Sequence, residues 1–364
     1  MSPETTGPGT TGGTGTATVV AAAADSTRVI HNRRSRTEIV ARLAQRNGSL
    51  VILVVLAGVM AVAFPTFATA GNLSQIAIQA SFFAPLALGM TFVIFTGGID
   101  LSVGSVYALG GILAAWGSQY GFAVAVLLPL LGCGLIGLVQ GVIIARTAIP
   151  AFIVTLAGLL FARGLLLILT NEGSTTYKVE QGSAFLGLSQ GRFLGLGWPV
   201  WITVVLFVAG VIVVRRTSYG STLLAIGGQE DAANLMGLPV ARSKMIVYTV
   251  SGLLAGLAGA LTASYTASGV TTLGVGLELT AISAVVLGGT LLTGGAGTVF
   301  GSLVGIVLLQ VVANLINRLG LTNSNWQAVV NGAVLVVVAV GQVQLSRIQA
   351  RSRSATGGGA AESD

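Results

Sequence analysis

Apolar residues fill long runs along most of this chain, and charged residues gather at its two ends and in the short segments between the runs. The apolar segments recur at about 50–68, 73–96, 101–117, 122–145, 149–170, 198–214, 243–267, 278–293, 298–317 and 326–343. A helix needs roughly 20 predominantly apolar residues to cross a hydrocarbon core about 30 Å thick. The pattern therefore predicts an all-α polytopic membrane protein with about ten transmembrane helices.

Glycines mark the places where these helices are expected to break. Segments 101–117 and 278–293 are short, and glycine pairs adjoin them at 97–98 and 288–289. In lipid every backbone amide and carbonyl needs a partner, so broken helices are tolerated only inside protein or along a cavity. We therefore expect broken or re-entrant segments here, although small residues that let helices pack closely are the alternative.

The two glycine-containing stretches resemble each other. "GGIDLSVG" at 97–104 is similar to "GGTLLTGG" at 288–295, and one copy falls in each five-span half of the chain. An odd number of spans per half predicts two inverted halves, an arrangement common in transporters, although chance similarity is the alternative. The candidate residues for a translocation path between the halves are Gly97, Gly98, Asp100, Ser102, Gly288, Gly289, Gly294 and Gly295.

The few charges indicate topology. Charged residues make up 8% of the chain, against about 25% in soluble domains. With ten spans and a cytoplasmic start, fourteen of the eighteen Lys and Arg residues fall on the cytoplasmic side and three fall outside. Cytoplasmic loops carry such an excess, so we predict that both termini are cytoplasmic. The net charge of +7 then follows from topology, and no nucleic-acid partner is expected.

Composition divides the chain into three regions. Residues 1–47 are poor in apolar bulk and rich in Gly, Thr and Arg, which predicts a disordered cytoplasmic tail. Residues 48–346 form the transmembrane domain, and residues 347–364 form a second cytoplasmic tail. The first thirty residues hold no apolar core ahead of a cleavage site, so we do not expect a cleaved signal peptide.

Residues that usually carry catalysis or bind metals are scarce. Cys133 is the one cysteine and His31 the one histidine, so we expect no disulfide framework, no metal site, no cofactor and no catalytic residues. A phosphate-binding Gly-Lys-Ser/Thr loop is also absent, because neither Lys178 nor Lys244 follows a glycine. If ATP drives this protein, a different chain hydrolyses it, and this chain is not an enzyme.

Three ionisable residues lie inside predicted spans, where insertion costs about 2.5 to 3.5 kcal/mol at a helix centre. Asp100 is expected to cap the following helix through the amides of Ser102 and Val103, and a place on the translocation path is the alternative. Glu278 is expected to begin a helix, where a carboxylate favours the positive end. Arg163 is expected to extend toward the outer interface.

The loop at 225–240 contains the stretch "GGQEDAANLMGL". Glu230 and Asp231 favour a helix N-terminus, and Gly237 followed by Pro239 favours its end, so a helix of about two turns is predicted over 229–238. Apolar Leu235, Met236 and Leu238 are expected to be exposed for a partner. The alternative is a connecting helix that lies on its own protein.

These residues carry a family resemblance. "GGQEDAANLMGL" resembles the cytoplasmic coupling loop of permeases of ATP-binding-cassette importers, whose pattern is Glu-Ala-Ala, three residues, Gly, with Asp231 replacing the Glu. "GGIDLSVGSVYALGG", "IPAFIVTLAGLLFARG" and "ELTAISAVVLGGTLLTGGAGTVFGS" resemble the permeases for ribose, xylose and related monosaccharides, over about residues 72–343. "NLMGL" and "VGLELTAISAVVLGGTLLTGGAGTV" are most similar to the galactofuranose permeases. Gln140 stands near a position where ribose-type members usually carry Asn.

The resemblance implies a permease subunit in the bacterial cytoplasmic membrane that imports a pentose or a galactofuranose-like sugar. It implies four partners: a cytoplasmic ATP-binding subunit, an extracytoplasmic sugar-binding protein, a second permease chain in a homo- or heterodimer, and the lipid bilayer. The residues expected to couple to the ATPase are Gly228, Glu230, Asp231, Ala232, Ala233 and Gly237.

Two alternatives stay open from the residues alone. An ion-coupled secondary sugar carrier would need a titratable relay in the membrane, for which only Asp100, Glu278 and Arg163 are candidates. The predicted outer loop, 171–198, and the residues after it carry aromatic side chains. These are interpreted either as a docking rim for the binding protein or as membrane anchors.

Overall fold

The computed structural model describes residues 36–321, 326–337 and 340. The chain divides into two units, Met1–Ala44 and Gln45–Asp364. Among the described residues, the first unit contains only the start of the first helix. The predicted C-terminal tail at 347–364 and residues 1–35 of the predicted N-terminal tail lie outside the described residues.

Helices dominate the described residues, as the apolar pattern predicts. They are α1 (Arg36–Ala63), α2 (Ala70–Phe95), α3 (Val103–Gly117), α4 (Phe122–Arg146), α5 (Ala151–Leu169), α6 (Ala184–Gln190), α7 (Trp198–Arg216), α8 (Ser218–Gly228), α9 (Glu230–Leu235), α10 (Val240–Thr266), α11 (Leu277–Leu287), α12 (Val299–Arg318) and α13 (Trp326–Val337). Strands β1 (Arg192–Phe193) and β2 (Leu196–Gly197) form an antiparallel hairpin before α7. Apart from this hairpin and one isolated bridge, the described part of the chain is all-α.

Each predicted apolar segment coincides with a helix, but the helices differ in length. Six are long and apolar enough to cross a membrane, namely α2, α4, α5, α7, α10 and α12. The apolar part of α1, with α11 and α13, is shorter, and α3 has 15 residues. Helix α1 begins at Arg36, so it extends into the tail predicted over 1–47. The all-α polytopic fold is confirmed, whereas the count of ten spans stays a prediction.

The long helices separate into mostly buried and mostly exposed members. In the most apolar stretch of α2, 89% of the residues are buried, against 22% to 28% in α4, α5 and α7. Helix α10 packs against α2, α3 and α4. Small residues permit this packing, because a Cβ at Gly110 of α3 would lie 2.8 Å from the Cα of Gly256 of α10. Helices α2 and α10 therefore form the interior.

Two breaks interrupt the interior. The first runs from Thr96 to Ser102 between α2 and α3, and the second from Gly288 to Thr298 between α11 and α12. The two similar stretches therefore lie at opposite ends of short helices, one before α3 and one after α11. Since α3 and α11 would be the third spans of two five-span halves, the similar stretches do not stand at equivalent places. The prediction of two inverted halves then depends on the number of spans alone.

Candidate functional site

Helix α9 is short, lies between α8 and α10, and buries one of its residues. It is shorter than the predicted 229–238, and its one fully buried residue, Ala233, packs against Ile226 and Val240. Leu235 and Met236 are 90% and 67% exposed, as expected. The expectation that Leu238 is exposed is wrong, because its amide bonds the Ala233 carbonyl and its side chain folds over the same cluster.

The chain leaves α9 through a tight turn. The Gly237 amide donates to the Asn234 carbonyl at 2.9 Å, and Gly237 has a φ of +75°, which an L side chain adopts only with strain. Ala232 is half-buried beside Ala233. This turn explains why a glycine stands four residues after the Ala-Ala pair.

The two acidic residues of α9 have different surroundings. Both lie in its first turn, where a carboxylate favours the positive end of a helix. Glu230 forms an ion pair with Lys244 of α10, with 2.6 Å between Nζ and Oε1. Asp231 is exposed to a potential partner. The ion pair therefore fastens α9 to α10, while Asp231 lies on the accessible face.

Immediately before α9, the first break, the end of α8 and the second break meet through glycines. We call this contact the glycine junction, and it consists of Gly97, Gly227, Gly228, Gly294 and Gly295. A Cβ at Gly294 would lie 2.7 Å from the Gly97 nitrogen, and one at Gly295 would lie 2.8 Å from the Gly228 nitrogen. A Cβ at Gly227 would meet the carbonyl oxygen of Phe95. The first break, the end of α8 and the second break therefore pack backbone against backbone.

A hydrogen bond ties this junction together, because the Gly295 amide donates to the Phe95 carbonyl at 3.2 Å. Among the predicted path residues, Gly97 and Gly294 thus lie beside Gly227, and Gly295 lies beside Gly228, a predicted coupling residue. The other glycine pair lies elsewhere: Gly288, at the end of α11, packs closely against the backbone of α12, and Gly289 follows it.

A cavity of about 440 Å³ adjoins the junction. It is lined by Thr96, Gly97, Gly98, Ile99, Ile144, Thr147, Ala148, Ile149, Pro150, Ala151, Phe152, Glu230, Lys244 and Tyr248. Its walls combine hydroxyls, an ion pair and apolar side chains, and its volume is in the range of small-molecule sites. The Tyr248 hydroxyl is buried beside Gly98 and has no hydrogen-bond partner among the described residues.

Asp100 attaches the first break to α10. Its carboxylate is buried and accepts hydrogen bonds from the Ser102 amide at 3.0 Å, the Ser102 hydroxyl at 2.6 Å and the Ser251 hydroxyl at 2.7 Å. The expected bond from Ser102 is present, but the donor that completes the set is Ser251 and not the Val103 amide. Side chains thus hold this break in place.

Gln140 of α4 extends the same network. Its Oε1 lies 3.2 Å from the Ser102 hydroxyl oxygen, and its Nε2 has no partner among the described residues. The Ser102 hydroxyl has one proton, which Asp100 accepts at the shorter distance. A half-turn of the Gln140 amide group lets its N–H donate to the Ser102 hydroxyl oxygen.

The other two ionisable residues of the predicted spans are Glu278 and Arg163. Glu278 is in the first turn of α11, as expected. The Arg163 guanidinium donates to the Leu273 carbonyl at 3.2 Å, so this cation is held by a loop before α11.

Comparison with known proteins identifies the architecture. The family model described as the permease component of the branched-chain amino acid transport system matches residues 72–339. This chain belongs to that permease family.

Sugar permeases are among the relatives of this chain. The ribose import permease protein RbsC of Escherichia coli (strain K12) is 42% identical over 295 residues, which cover 80% of this chain and 91% of that protein. The L-arabinose permease protein AraH of Azospirillum brasilense is 35% identical over 301 residues, 82% and 88% of the two chains. RbsC of Bacillus subtilis is 37% identical over 298 residues, 81% and 92%. No solved structure gives a significant match.

The permease contains site residues that the sequence did not single out. Lys244, Tyr248 and Ser251 all lie on α10, and they contact α9, the cavity and Asp100 respectively. Their recurrence at intervals of three and four residues would place them on one helix face, but their partners lie in other segments. Only the polar character of Ser251 within an apolar run offered any indication.

Proposed function

We propose that this permease carries a monosaccharide, a pentose or a galactofuranose-like sugar, through the inner membrane as part of an importer driven by a separate cytoplasmic ATPase. The names of the relatives support a sugar, since they denote ribose and L-arabinose permeases. The observation that carries the coupling is α9, which exposes Leu235 and Met236 while its first residue lies next to the glycine junction.

Helix α9 is the proposed contact with the ATPase. Helix α9 and the residue after it leave two large apolar side chains, Leu235 and Met236, exposed. This is the composition of an interface centre, because such side chains provide most of the binding energy when a partner buries them. Asp231 adds a charge on the accessible face. The motif resemblance implies a coupling role for this segment. That role is supported by the charge of Asp231, by Ala232 and Ala233, and by the Gly237 turn.

The proposed transmission runs through the glycine junction. Only Gln229 separates Gly228 of the junction from Glu230 of α9, so a displacement of α9 moves the end of α8 directly. Since that end packs against Gly97 and Gly295 by backbone contact, the displacement reaches both breaks. Segments in direct backbone contact move together, because neither can shift toward the other without displacing it.

The proposed path passes the cavity. When the first break moves, Gly98 withdraws from the Tyr248 hydroxyl, which then becomes available to a hydroxylated solute. Asp100 stays attached to α10 and Ser102 to Asp100, which limits the movement to the glycines. We assign the path to Gly97, Gly98, Asp100, Ser102, Gly288, Gly289, Gly294 and Gly295. An extracytoplasmic sugar-binding protein, a second permease chain and cytoplasmic termini complete the proposal.

Reconstituted transport tests this function. The permease is incorporated in vesicles with the ATPase and the binding protein encoded with it, and uptake of labelled ribose, arabinose and galactofuranose is compared with uptake of leucine. We expect sugar uptake that requires ATP and the binding protein and survives an ionophore. Uptake of leucine alone would overturn the sugar assignment, and uptake that ignores ATP but collapses with the ionophore would favour the secondary carrier.

A further inference from the structure

The hairpin before α7 presents an apolar tip. Its two turn residues, Leu194 and Gly195, both have positive φ, +51° and +81°, which is the geometry of the tight turns that join twisted strands. Leu194 is 76% exposed. A residue with a side chain is uncommon in this backbone conformation, so the hairpin holds an apolar side chain outward at a position where glycine or asparagine is preferred.

Aromatic stacking fixes the hairpin to the start of α7. Phe193 stacks on Trp198 with 5.4 Å between ring centroids and 13° between planes, and it meets Trp201 edge-on at 5.9 Å. The Trp201 indole donates to the Phe193 carbonyl at 3.1 Å. Phe193 and Trp198 nevertheless remain 48% and 43% exposed. The rings therefore form a rigid cluster with one open side.

That open side continues a lipid-facing stripe. Trp198, Trp201, Val205, Val208 and Ile212 follow one another at alternating intervals of three and four residues, which places them on one face of α7. The three aliphatic residues of this stripe are at least half exposed, and 22% of the most apolar stretch of α7 is buried. The aromatic cluster lies at the first turn of this span, where the span leaves the hydrocarbon. Trp is enriched at that depth of the bilayer.

We propose that the aromatic hairpin, residues 192–201, is an anchor in the membrane interface that inserts Phe193, Leu194 and Trp198 among lipid headgroups. The exposed Arg192 at its base then faces the lipid phosphates. Because the cluster continues the exposed apolar face of α7, and such a face of a spanning helix lies against lipid, the proposed occupant is lipid and not the sugar-binding protein. The inference does not depend on which solute is carried.

Fluorescence quenching tests the anchor. The full chain has four tryptophans, so Trp116→Phe with Trp326→Phe leaves Trp198 and Trp201 as reporters. The protein is reconstituted in phosphatidylcholine whose acyl chains carry bromine near the headgroup or near the chain end. We expect strong quenching by shallow bromine, weaker quenching by deep bromine and little by aqueous acrylamide. Full quenching by acrylamide with no effect of either bromine position would overturn the proposal.

A second variant removes the anchor without disturbing the fold. Asp tolerates positive φ better than Leu, so Leu194→Asp preserves the turn while placing a charge at the tip. We expect the shallow-bromine quenching to fall at least twofold and the emission to shift to longer wavelength. The matched control is Val275→Asp, at an equally exposed apolar residue in another loop (75%), which leaves both readings unchanged. Equal effects of the two variants would contradict an anchor at the hairpin.

Discussion

The glycine junction and helix α9 are neighbours in the chain, but different physical contacts hold them in place. The junction has no side chains and consists of backbone packed on backbone, with one hydrogen bond from Gly295 to Phe95. Helix α9 is held by one buried residue, Ala233, and one ion pair, and Leu235 at its end and the following Met236 are exposed. Added atoms therefore clash at Gly227, Gly294 and Gly295, whereas the exposed side chains of α9 can be altered without effect on the fold.

The largest effect is expected from two adjacent glycines that differ only in their surroundings. In Gly227→Ala the new Cβ falls on the Phe95 carbonyl and lies 2.5 Å from the Gly295 nitrogen, so backbone must shift. In Gly228→Ala it meets nothing within 4 Å. We expect the first to cost about 3 kcal/mol, the upper range for overpacking, and the second to leave stability unchanged or to raise it by up to about 1 kcal/mol, because alanine is the better helix former.

Thermal unfolding in detergent and the yield of folded protein measure this difference. Gly228→Ala is the matched control, because it is the same substitution one residue away in the same helix. If the two variants unfold at the same temperature, the close packing at the junction does not exist and the proposed transmission through it fails.

The next largest effect concerns the exposed side of α9. Leu235→Ala with Met236→Ala removes the two side chains that the ATPase is proposed to bury, so affinity falls by about 2 to 4 kcal/mol, at least 30-fold. Thermal stability stays unchanged, because both residues are exposed in the permease alone. Titration of the reconstituted permease with its ATPase measures the affinity.

The control for this variant is Leu319→Ala, at a leucine that is 58% exposed just after α12. It leaves ATPase affinity unchanged, whereas an equal loss in both variants would mean that the effect comes from general surface polarity. An unaltered affinity in the double variant would remove α9 from the interface.

A smaller effect is expected from the side-chain hydrogen bond by which Asp100 holds the first break to α10. Ser251→Ala deletes one donor to the buried Asp100 carboxylate and leaves an acceptor site without its partner, at a cost of about 2 kcal/mol. Ser283→Ala is the control, since Ser283 is equally buried but bonds the Leu279 carbonyl of its own helix. Thermal unfolding should separate the two variants, and equal midpoints would mean that Asp100 does not hold the break to α10.

Local patterns in the sequence predicted some of these features and not others. The end of α9 could be predicted because Gly237 and Pro239 act on their own backbone. The bond between Ser251 and Asp100 joins residues 151 positions apart, and no local pattern indicates it. The sequence does not distinguish Gly227 from Gly228, because only the folded chain brings the Phe95 carbonyl and the Gly295 nitrogen against Gly227. The prediction that Leu238 is exposed is wrong for the same reason, because Leu238 is partly buried against Ile226 and Val240.

The smallest effect is expected from the ion pair between Glu230 and Lys244. Glu230 is 44% exposed and Lys244 16%, so water and salt screen their attraction, and pairs of this kind contribute about 1 kcal/mol or less. A double-mutant cycle with Glu230→Gln and Lys244→Met should give a coupling energy within that range that disappears in high salt. The fold should persist, because Ala233 still packs against Ile226 and Val240. A coupling energy above about 3 kcal/mol that resists salt would mean that this pair, and not the packing of Ala233, holds α9 against α10.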